Sequence, residues 1–385
     1  MFLKLNMRII IYGDVRIVKI IRILAFISTI PIIFSGCYNM KPQENIGIII
    51  GLGYDIENKG VGYSYVDTSE TFNSKGEKRL GHEVFSGKNQ SIYSTKNEIQ
   101  PKFNKKWILG TELVYLIGED RARYGIEDLL DSLIRDPTRR ITASIAVSKE
   151  PAESIYKSCP KATSSIAEEI RGILDFIYMD NFFPINNEVS EALKMYCQEG
   201  RKIVIPYMEL KEDDLQVSGL ALFKGDKMIR TVSLDEARII NILRNNDGIG
   251  YLHVNLPGCN EYYEAFFKNK NKVKVNILKE EDHLKYDIFI TLVGDLKIDT
   301  VDKDTITKKE IKNIEKAFEK DIQAKLNMEL EKMQKEYGED WIDLGKYAAA
   351  KYGREIDCSS DKVFRNAIID VNVNVKISNT GQKKK

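Results

Sequence analysis

The pattern of apolar positions in the first half of the chain predicts strands that alternate with amphipathic helices. Residues 46–56 form an almost continuous apolar run, and residues 61–65 alternate as a partner strand. Apolar side chains then recur at helical spacing in residues 126–134, and Pro137 ends that predicted helix. Residues 141–147 alternate again, which predicts a further strand.

A second group of patterns follows and ends at an acidic stretch. Ser165 and Glu168 have the spacing of a capping box, so they predict the start of a helix. Residues 190–198 predict another helix, and residues 202–208 predict a strand. The polar residues 211–214 resemble a linker, and we expect the first domain boundary there.

The next stretch predicts a hairpin, a helix and a strand. Gly225 and Asp226 are a two-residue hairpin signal between two apolar runs. Residues 234–244 predict a helix and residues 251–256 a strand. A second, softer boundary is expected within residues 258–272.

A long helix dominates the C-terminal pattern. Thr307 and Glu310 form a second capping box, and Gly338 closes the predicted helix. Its apolar stripe comprises Ile311, Ile314, Phe318, Ile322, Leu326, Leu330 and Met333. Such a stripe fits a coiled coil, but a helix laid across a sheet is favoured because a coiled coil sustains several strict heptads. In the last strand, residues 369–377, apolar and polar residues alternate, which indicates one buried and one solvent-exposed face.

These patterns predict an α+β fold, a mixed α/β chain of several small domains. Each domain is expected to be a mostly antiparallel sheet with packed helices, and the C-terminal domain adds the long helix. The expected divisions are a leader at residues 1–36 and an N-terminal domain at residues 37–210. The C-terminal region, residues 211–385, divides into a small middle domain, 211–265, and a C-terminal domain, 266–385.

The first 36 residues have the layout of an export signal. A basic stretch precedes the apolar residues 23–34, and Ser35 and Gly36 stand directly before Cys37. This makes the segment look like a bacterial lipoprotein signal, in which the cysteine thiol is lipidated and the chain is cut before it. The alternative is a transmembrane helix with a chance cysteine. It is disfavoured because an uncharged run of 12 residues spans about 18 Å, against a hydrocarbon core of about 30 Å.

The net charge indicates which partners are disfavoured, and the cysteine spacing indicates whether disulfides are expected. The leader carries five basic residues and one acidic residue, which leaves a charge near −3 on the rest of a chain whose total is +1. This balance does not favour nucleic-acid binding, which needs a basic field. Cys159, Cys197, Cys259 and Cys358 are scattered without a C-x-x-C pair, so we expect separate thiols.

The search for catalytic and cofactor motifs predicts no enzyme, no cofactor and no metal site. The three histidines have no partner at i+4, and neither a G-x-S-x-G elbow nor a phosphate-binding loop occurs. Gly51 and Gly53 follow the pattern of a dinucleotide loop only in part, because Ile56 stands where the third glycine would be. We interpret the two glycines as a strand bend or bulge.

One charged loop is a candidate partner interface. Arg135, Asp136 and Arg140 lie where a predicted helix ends and a strand begins, a place where loops often carry function. The alternative is that these cations have a structural role at the helix C terminus, where positive charge interacts favourably with the helix dipole.

Five segments carry a resemblance to a known family through their order and spacing. They are residues 36–39, 51–55, 112–136, 219–228 and 340–342. Together they resemble the C subunit of bacterial spore germinant receptors, the GerAC-like lipoproteins, over nearly the whole chain.

The resemblance implies three mixed α/β domains and a location on the outer face of the spore inner membrane, with Cys37 as the lipid anchor. It implies assembly with two integral membrane partners, a larger A-type subunit and a transporter-like B-type subunit, that together respond to nutrients. It does not imply an enzyme. Two alternatives stay open: an independent solute-binding lipoprotein, which needs a ligand cleft, and a surface hydrolase, which needs convergent catalytic groups.

Overall fold

The structure is a computed structural model with two compact units, Met1–Ile46 and Gly47–Lys385. It describes residues 17–28, 46–58, 63–75, 79–161, 163–244, 247–255, 262–278, 283–299, 306–353 and 361–380. Within the first unit, residues 17–28 form helix α1, whose side chains are exposed. No helix in the described part of the chain is long and apolar enough to cross a membrane. Cys37 lies outside the described residues.

The first sheet has nine strands within the described ranges, and its centre is parallel while its outer parts are antiparallel. Its strands are β1 (Ile46–Asn58), β2 (Tyr63–Lys75), β3 (Arg79–Asn89), β4 (Lys106–Ile108), β5 (Val114–Gly118), β6 (Ser144–Ser148), β7 (Val204–Lys211), β8 (Asp214–Lys224) and β9 (Lys227–Ser233). Their order is β3-β2-β1-β5-β6-β7-β8-β9, with β4 paired to β1. Strands β1, β5, β6 and β7 are adjacent in that order and run parallel to one another.

Helices alternate with the strands of the first sheet, and those beside its parallel centre cover both of its faces. They are α2 (Ile92–Ile99), α3 (Glu119–Tyr124), α4 (Glu127–Arg135), α5 (Ala152–Tyr156), α6 (Ile166–Phe176), α7 (Tyr178–Asn181), α8 (Val189–Cys197) and α9 (Leu234–Arg244). Val114 and Leu116 of β5 share a core with α5 and α6, whereas Tyr115 and Ile117 share one with α4 and α8. Strand β6 is therefore buried throughout instead of alternating, as parallel strands between helical layers are.

The second sheet has four strands in the described part of the chain, and the long helix lies against it. The strands are β10 (Ile249–Asn255), β11 (Tyr262–Leu278), β12 (His283–Asp299) and β13 (Ile368–Asn379), in that order across the sheet. The accompanying helices are α10 (Lys308–Glu331), α11 (Gly345–Tyr352) and α12 (Asp361–Asn366), and a π-helical turn, Lys332–Tyr337, continues α10. Only the β12–β13 pair is parallel among these four strands.

Helix α10 confirms the prediction of a helix laid across a sheet. The capping box of Thr307 and Glu310 is complete, and the apolar stripe is buried within the chain. The carboxylates of Glu315 and Glu319 also accept hydrogen bonds from backbone N–H groups of β13, at 2.8 and 3.0 Å. Because β13 is the last strand of its sheet, these bonds satisfy donors that an edge strand leaves open.

The predicted mixed α/β fold class is confirmed, but two boundary signals have a different meaning. Residues 211–214 are not a linker. They are the tight turn of the β7–β8 hairpin, in which Glu212 and Asp213 have φ values of 52° and 66°. Residues 262–272, within the softer boundary, are the first part of the continuous strand β11. The division into domains stays a prediction, and strands on both sides of Lys211 pair in one sheet.

Candidate functional site

The glycine-rich segment of β1 brings a helix close to the sheet. A Cβ added to Gly51 would lie 2.6 Å from the ring of Tyr156, and one added to Gly53 would lie 2.9 Å from the Cβ of Ala152. The Asp55 carboxylate accepts hydrogen bonds from the first two backbone N–H groups of α5, at 2.7 and 2.8 Å. A register shift just before Gly51 is the expected bulge. The segment therefore packs and caps α5, as a structural element should.

A polar cluster is buried beneath the loop between α4 and β6. We call it the Arg139 cluster, and it comprises Tyr54, Asp67, Glu112, Tyr115 and Arg139. The Arg139 guanidinium is 6% exposed and donates from Nη1 to the hydroxyl of Tyr54, at 2.9 Å. The rings of Tyr54 and Tyr115 stack with their centroids 6.3 Å apart. The cluster thus fastens the loop to the centre of the first sheet.

Burial sets the proton affinities in the Arg139 cluster. It raises the pKa of Tyr54 to about 12, although the neighbouring Arg139 opposes the rise. It raises the pKa of Asp67 to about 7, against the hydrogen bond that the Thr95 hydroxyl donates at 2.5 Å and against the charge of Arg139. The Oε1 atom of Glu112 has no hydrogen-bond partner among the described residues. Burial therefore disfavours the ionised forms of Tyr54 and Asp67, and the charge of Arg139 favours them.

Asp67→Asn should remove a pH dependence of stability. A buried acid with a pKa of about 7, against about 4 when unfolded, binds in the folded state a proton that the unfolded chain has lost. The free energy of unfolding of the wild type should therefore fall as pH rises from about 4 to about 7, and this contribution should be constant above that window. Asparagine keeps an acceptor for Thr95 and carries no charge. Urea unfolding between these limits measures the difference, with the exposed Asp180→Asn as control. Parallel curves for Asp67→Asn and the wild type would contradict the assignment.

The three candidate interface residues occupy different environments. Arg135 ends α4 with its side chain 73% exposed, and it pairs with Asp131 one turn back, at 2.7 Å. Arg140 is half-buried, and its Nε donates to the hydroxyl of Thr142 at 3.1 Å. Both arginines therefore form polar contacts with side chains close to them in sequence.

Asp136 has a different position, inside the turn that follows α4. Its carboxylate accepts hydrogen bonds from the backbone N–H and the hydroxyl of Thr138, at 3.0 and 2.5 Å. It also lies 3.5 Å from Nε of Arg139. These contacts lower the pKa of Asp136, with the Thr138 hydroxyl as the largest cause. Asp136 thus supports the turn and orients the buried arginine.

Exposed apolar side chains adjoin the two surface arginines in sequence or interact with them. Tyr93 is 60% exposed and interacts electrostatically with Arg135, and Ile134 and Ile141 are 53% and 45% exposed. We call the patch the α4 surface, and it comprises Tyr93, Ile134, Arg135, Arg140 and Ile141. Aromatic residues and arginine are enriched in protein–protein interfaces, so this composition suits a contact with another protein.

A second buried network joins the first sheet to the residues after α10. The Trp341 indole is 1% exposed and donates to the backbone oxygen of Phe223 at 2.9 Å. Glu339 is buried and pairs with Lys202 at 2.7 Å and with Lys224. The segments 219–228 and 340–342 thus meet in the fold, which gives them a structural role.

The cysteine and metal predictions are tested only in part. Cys159 and Cys197 are exposed free thiols, as expected for separate cysteines. Cys37, Cys259 and Cys358 lie outside the described residues, so lipidation of Cys37 stays a prediction. No three potential ligands gather into a metal-binding group in the part of the chain that the structure describes.

Arg139 is the residue that the sequence prediction missed. It stands between the candidates Asp136 and Arg140, and a run of charged residues gives no sign of which one turns inward. One signal was present. Tyr54 lies in an apolar strand, and a buried tyrosine hydroxyl needs a hydrogen-bond partner.

Comparisons with known proteins agree over most of the chain. A family model described as the spore germination protein N-terminal domain matches residues 39–210, and one described as "Spore germination B3/GerAC like, C-terminal" matches residues 218–381. Spore germination protein GerQC of Bacillus cereus is 22% identical over 353 residues, which are 90% of this chain and 95% of that protein. Spore germination protein B3 of Bacillus subtilis (strain 168) is 20% identical over 363 residues, 90% of this chain and 94% of that one.

A solved structure has the same fold. The crystal structure of the GerBC protein aligns with a TM-score of 0.57 at 17% sequence identity, and the alignment covers 85% of this chain and 97% of that one.

Proposed function

Because this chain belongs to the GerAC family of spore germination proteins, we propose that it is the lipid-anchored C subunit of a nutrient germinant receptor. The observation that carries the proposal is the match of two family models in sequence order, which together span nearly all of the chain after the leader. The leader supports export, and Cys37 is the proposed lipid anchor on the outer face of the spore inner membrane. The role is one of binding and assembly, not of catalysis.

We propose that the α4 surface is one contact with the A-type or B-type integral membrane subunit. Its exposed tyrosine and arginines are of the types that dominate binding energy at interfaces, and its isoleucines add apolar area. Its support is rigid. The Arg139 cluster holds the adjoining loop from below, so little conformational freedom is lost on binding.

Arg135→Glu should weaken receptor assembly while the fold stays intact. The substitution reverses an exposed charge, and loss of an interface hot spot costs about 2 kcal/mol or more in binding. The measurement is the amount of the A-type and B-type subunits that co-purify with the tagged chain from spore membranes. The matched control is Arg123→Glu, because Arg123 is an exposed arginine that also pairs with an acid one turn back, Glu119.

Asp136→Ala distinguishes a loss of fold stability from a loss of the proposed interface. This variant loses the turn contacts to Thr138 and Arg139, so its melting temperature should fall, whereas that of Arg135→Glu should not. Equal co-purification with the wild type, Arg123→Glu and Arg135→Glu would contradict the proposed contact.

A further inference from the structure

A cavity of about 450 Å³ opens between α8, β7 and the chain that follows α7. Its volume lies in the range of small-molecule sites, about 300–1,000 Å³. Phe182, Val204 and Leu220 contribute apolar walls, and each is buried. The cavity therefore has apolar walls that could bind a small molecule, and neither the proposed anchoring nor the proposed assembly involves it.

Three cations line this cavity together. Arg201 and Arg244 share a single carboxylate, that of Asp343, at 3.2 and 3.1 Å. Lys346 has no hydrogen bond or ion pair within the described residues. Burial lowers its pKa, and the charges of Arg244 and Arg201 add to this effect while Asp343 opposes it. The cations are thus only partly neutralised by the protein itself.

Two carboxylates also line the cavity, and both have partners of their own. Glu191 pairs with Lys194 at 2.6 Å, and Glu188 accepts a hydrogen bond from the hydroxyl of Ser190 at 3.1 Å. Neither forms an ion pair with Lys346. Within the described residues, the ammonium group of Lys346 lies over the Tyr347 ring, 5.0 Å from its centroid, and has no counter-ion of its own.

Asn241 places a buried, unsatisfied donor behind the wall of this cavity. Its side chain is 6% exposed, lines the cavity, and its Nδ2 atom has no hydrogen-bond partner among the described residues. Leaving a buried donor unsatisfied costs about 1–3 kcal/mol. Nδ2 itself is buried, so an acceptor in the cavity reaches it only after the Asn241 side chain turns toward the cavity.

We propose that this cavity binds a small organic carboxylate. The carboxylate accepts hydrogen bonds from Asn241 and Lys346, and the apolar part of the ligand packs against Phe182 and Leu220. The Asp343 carboxylate already pairs with both arginines, so Asn241 and Lys346 are the remaining donors. Two donors suit one carboxylate better than a phosphate dianion. Binding by the purified chain does not depend on receptor assembly, so the two proposals fail separately.

The probe is 4-fluorobenzoate, and its neutral counterpart is 4-fluorobenzamide. Fluorine NMR of each with the full-length chain in mild detergent measures binding, with detergent alone as reference. We expect saturable binding of the benzoate with a dissociation constant of about 1 mM or tighter, and binding of the amide at least about tenfold weaker. Excess unlabelled benzoate should displace the probe.

Two variants identify the site. Lys346→Met keeps the apolar stem and breaks no ion pair of the described residues, although it loses the contact of the ammonium group with the Tyr347 ring. It should weaken binding of the benzoate by about tenfold or more. Lys335→Met removes an exposed lysine outside the cavity and should change nothing. Asn241→Leu should also weaken binding, and if it does not fold, Lys346→Met decides alone. Equal affinity for acid and amide, equal effects of the two lysine variants, or no saturable binding would overturn the proposal.

Discussion

Arg139→Met is expected to lower the free energy of unfolding by about 3–5 kcal/mol, the cost of breaking a buried charge arrangement by removing one member. The methionine keeps much of the volume but leaves the Tyr54 hydroxyl without the donor that the guanidinium supplies at 2.9 Å. It also removes the cation whose charge most favours the ionised form of Asp67. Urea unfolding followed by circular dichroism measures the loss.

The neighbouring Arg140→Met is the matched control. Arg140 is half-buried and, among the described residues, donates to a local hydroxyl, that of Thr142, so the same substitution should cost within about 1 kcal/mol. A second check uses Tyr54→Phe in both backgrounds. If Arg139 and Tyr54 act together, the double variant should lose less than the sum of the single losses. Similar costs for the two arginine variants would show that Arg139 does not stabilise the sheet.

Elements whose signals are local could be predicted from the sequence. The capping box of Thr307 and Glu310 and the apolar stripe after it determine α10 without reference to the rest of the chain. The Gly225-Asp226 hairpin and the alternation of β13 are local in the same sense. In each case the residues that decide the structure are within a few turns or one hairpin of each other.

Elements that depend on distant contacts could not be predicted. Helix α2 buries only Ile92, Thr95 and Ile99, too few apolar positions for a helical pattern. The turn at Glu212 and Asp213 has left-handed backbone without the glycine or asparagine that usually marks it, so it resembled an acidic linker.

The arginines of the candidate site differ in the same way, because local sequence determines one and distant contacts determine the other. Exposure of Arg135 follows from its place at a helix end, which the sequence shows. Burial of Arg139 follows from strands β1 and β5, which lie 85 and 24 residues away at Tyr54 and Tyr115 and come together only in the sheet. A charged residue that turns inward is determined by its partners, and those partners are remote in sequence.

Cys37→Ala is expected to abolish lipid anchoring and to reduce sharply the nutrient-triggered germination through the proposed receptor. Each buried CH₂ of an acyl chain contributes about 0.8 kcal/mol to membrane binding, and stable anchoring takes more than one chain. A lipidated Cys37 would carry several acyl chains. The alanine variant cannot accept them, and the normal cleavage before residue 37 should fail as well.

The direct measurement is metabolic labelling of sporulating cells with a clickable fatty acid, followed by fractionation of spore membranes. Wild-type protein should be labelled, begin at Cys37 and sediment with the membrane, whereas Cys37→Ala should be unlabelled and either lost or retained only through its uncleaved leader. Cys159→Ala is the matched control, because Cys159 is an exposed free thiol, and this variant should label and germinate like the wild type. The lipid anchor is refuted if the wild type takes up no label or begins at another residue. Full germination of Cys37→Ala spores would instead separate anchoring from receptor function, because an unanchored subunit could then still assemble through surfaces such as that of α4.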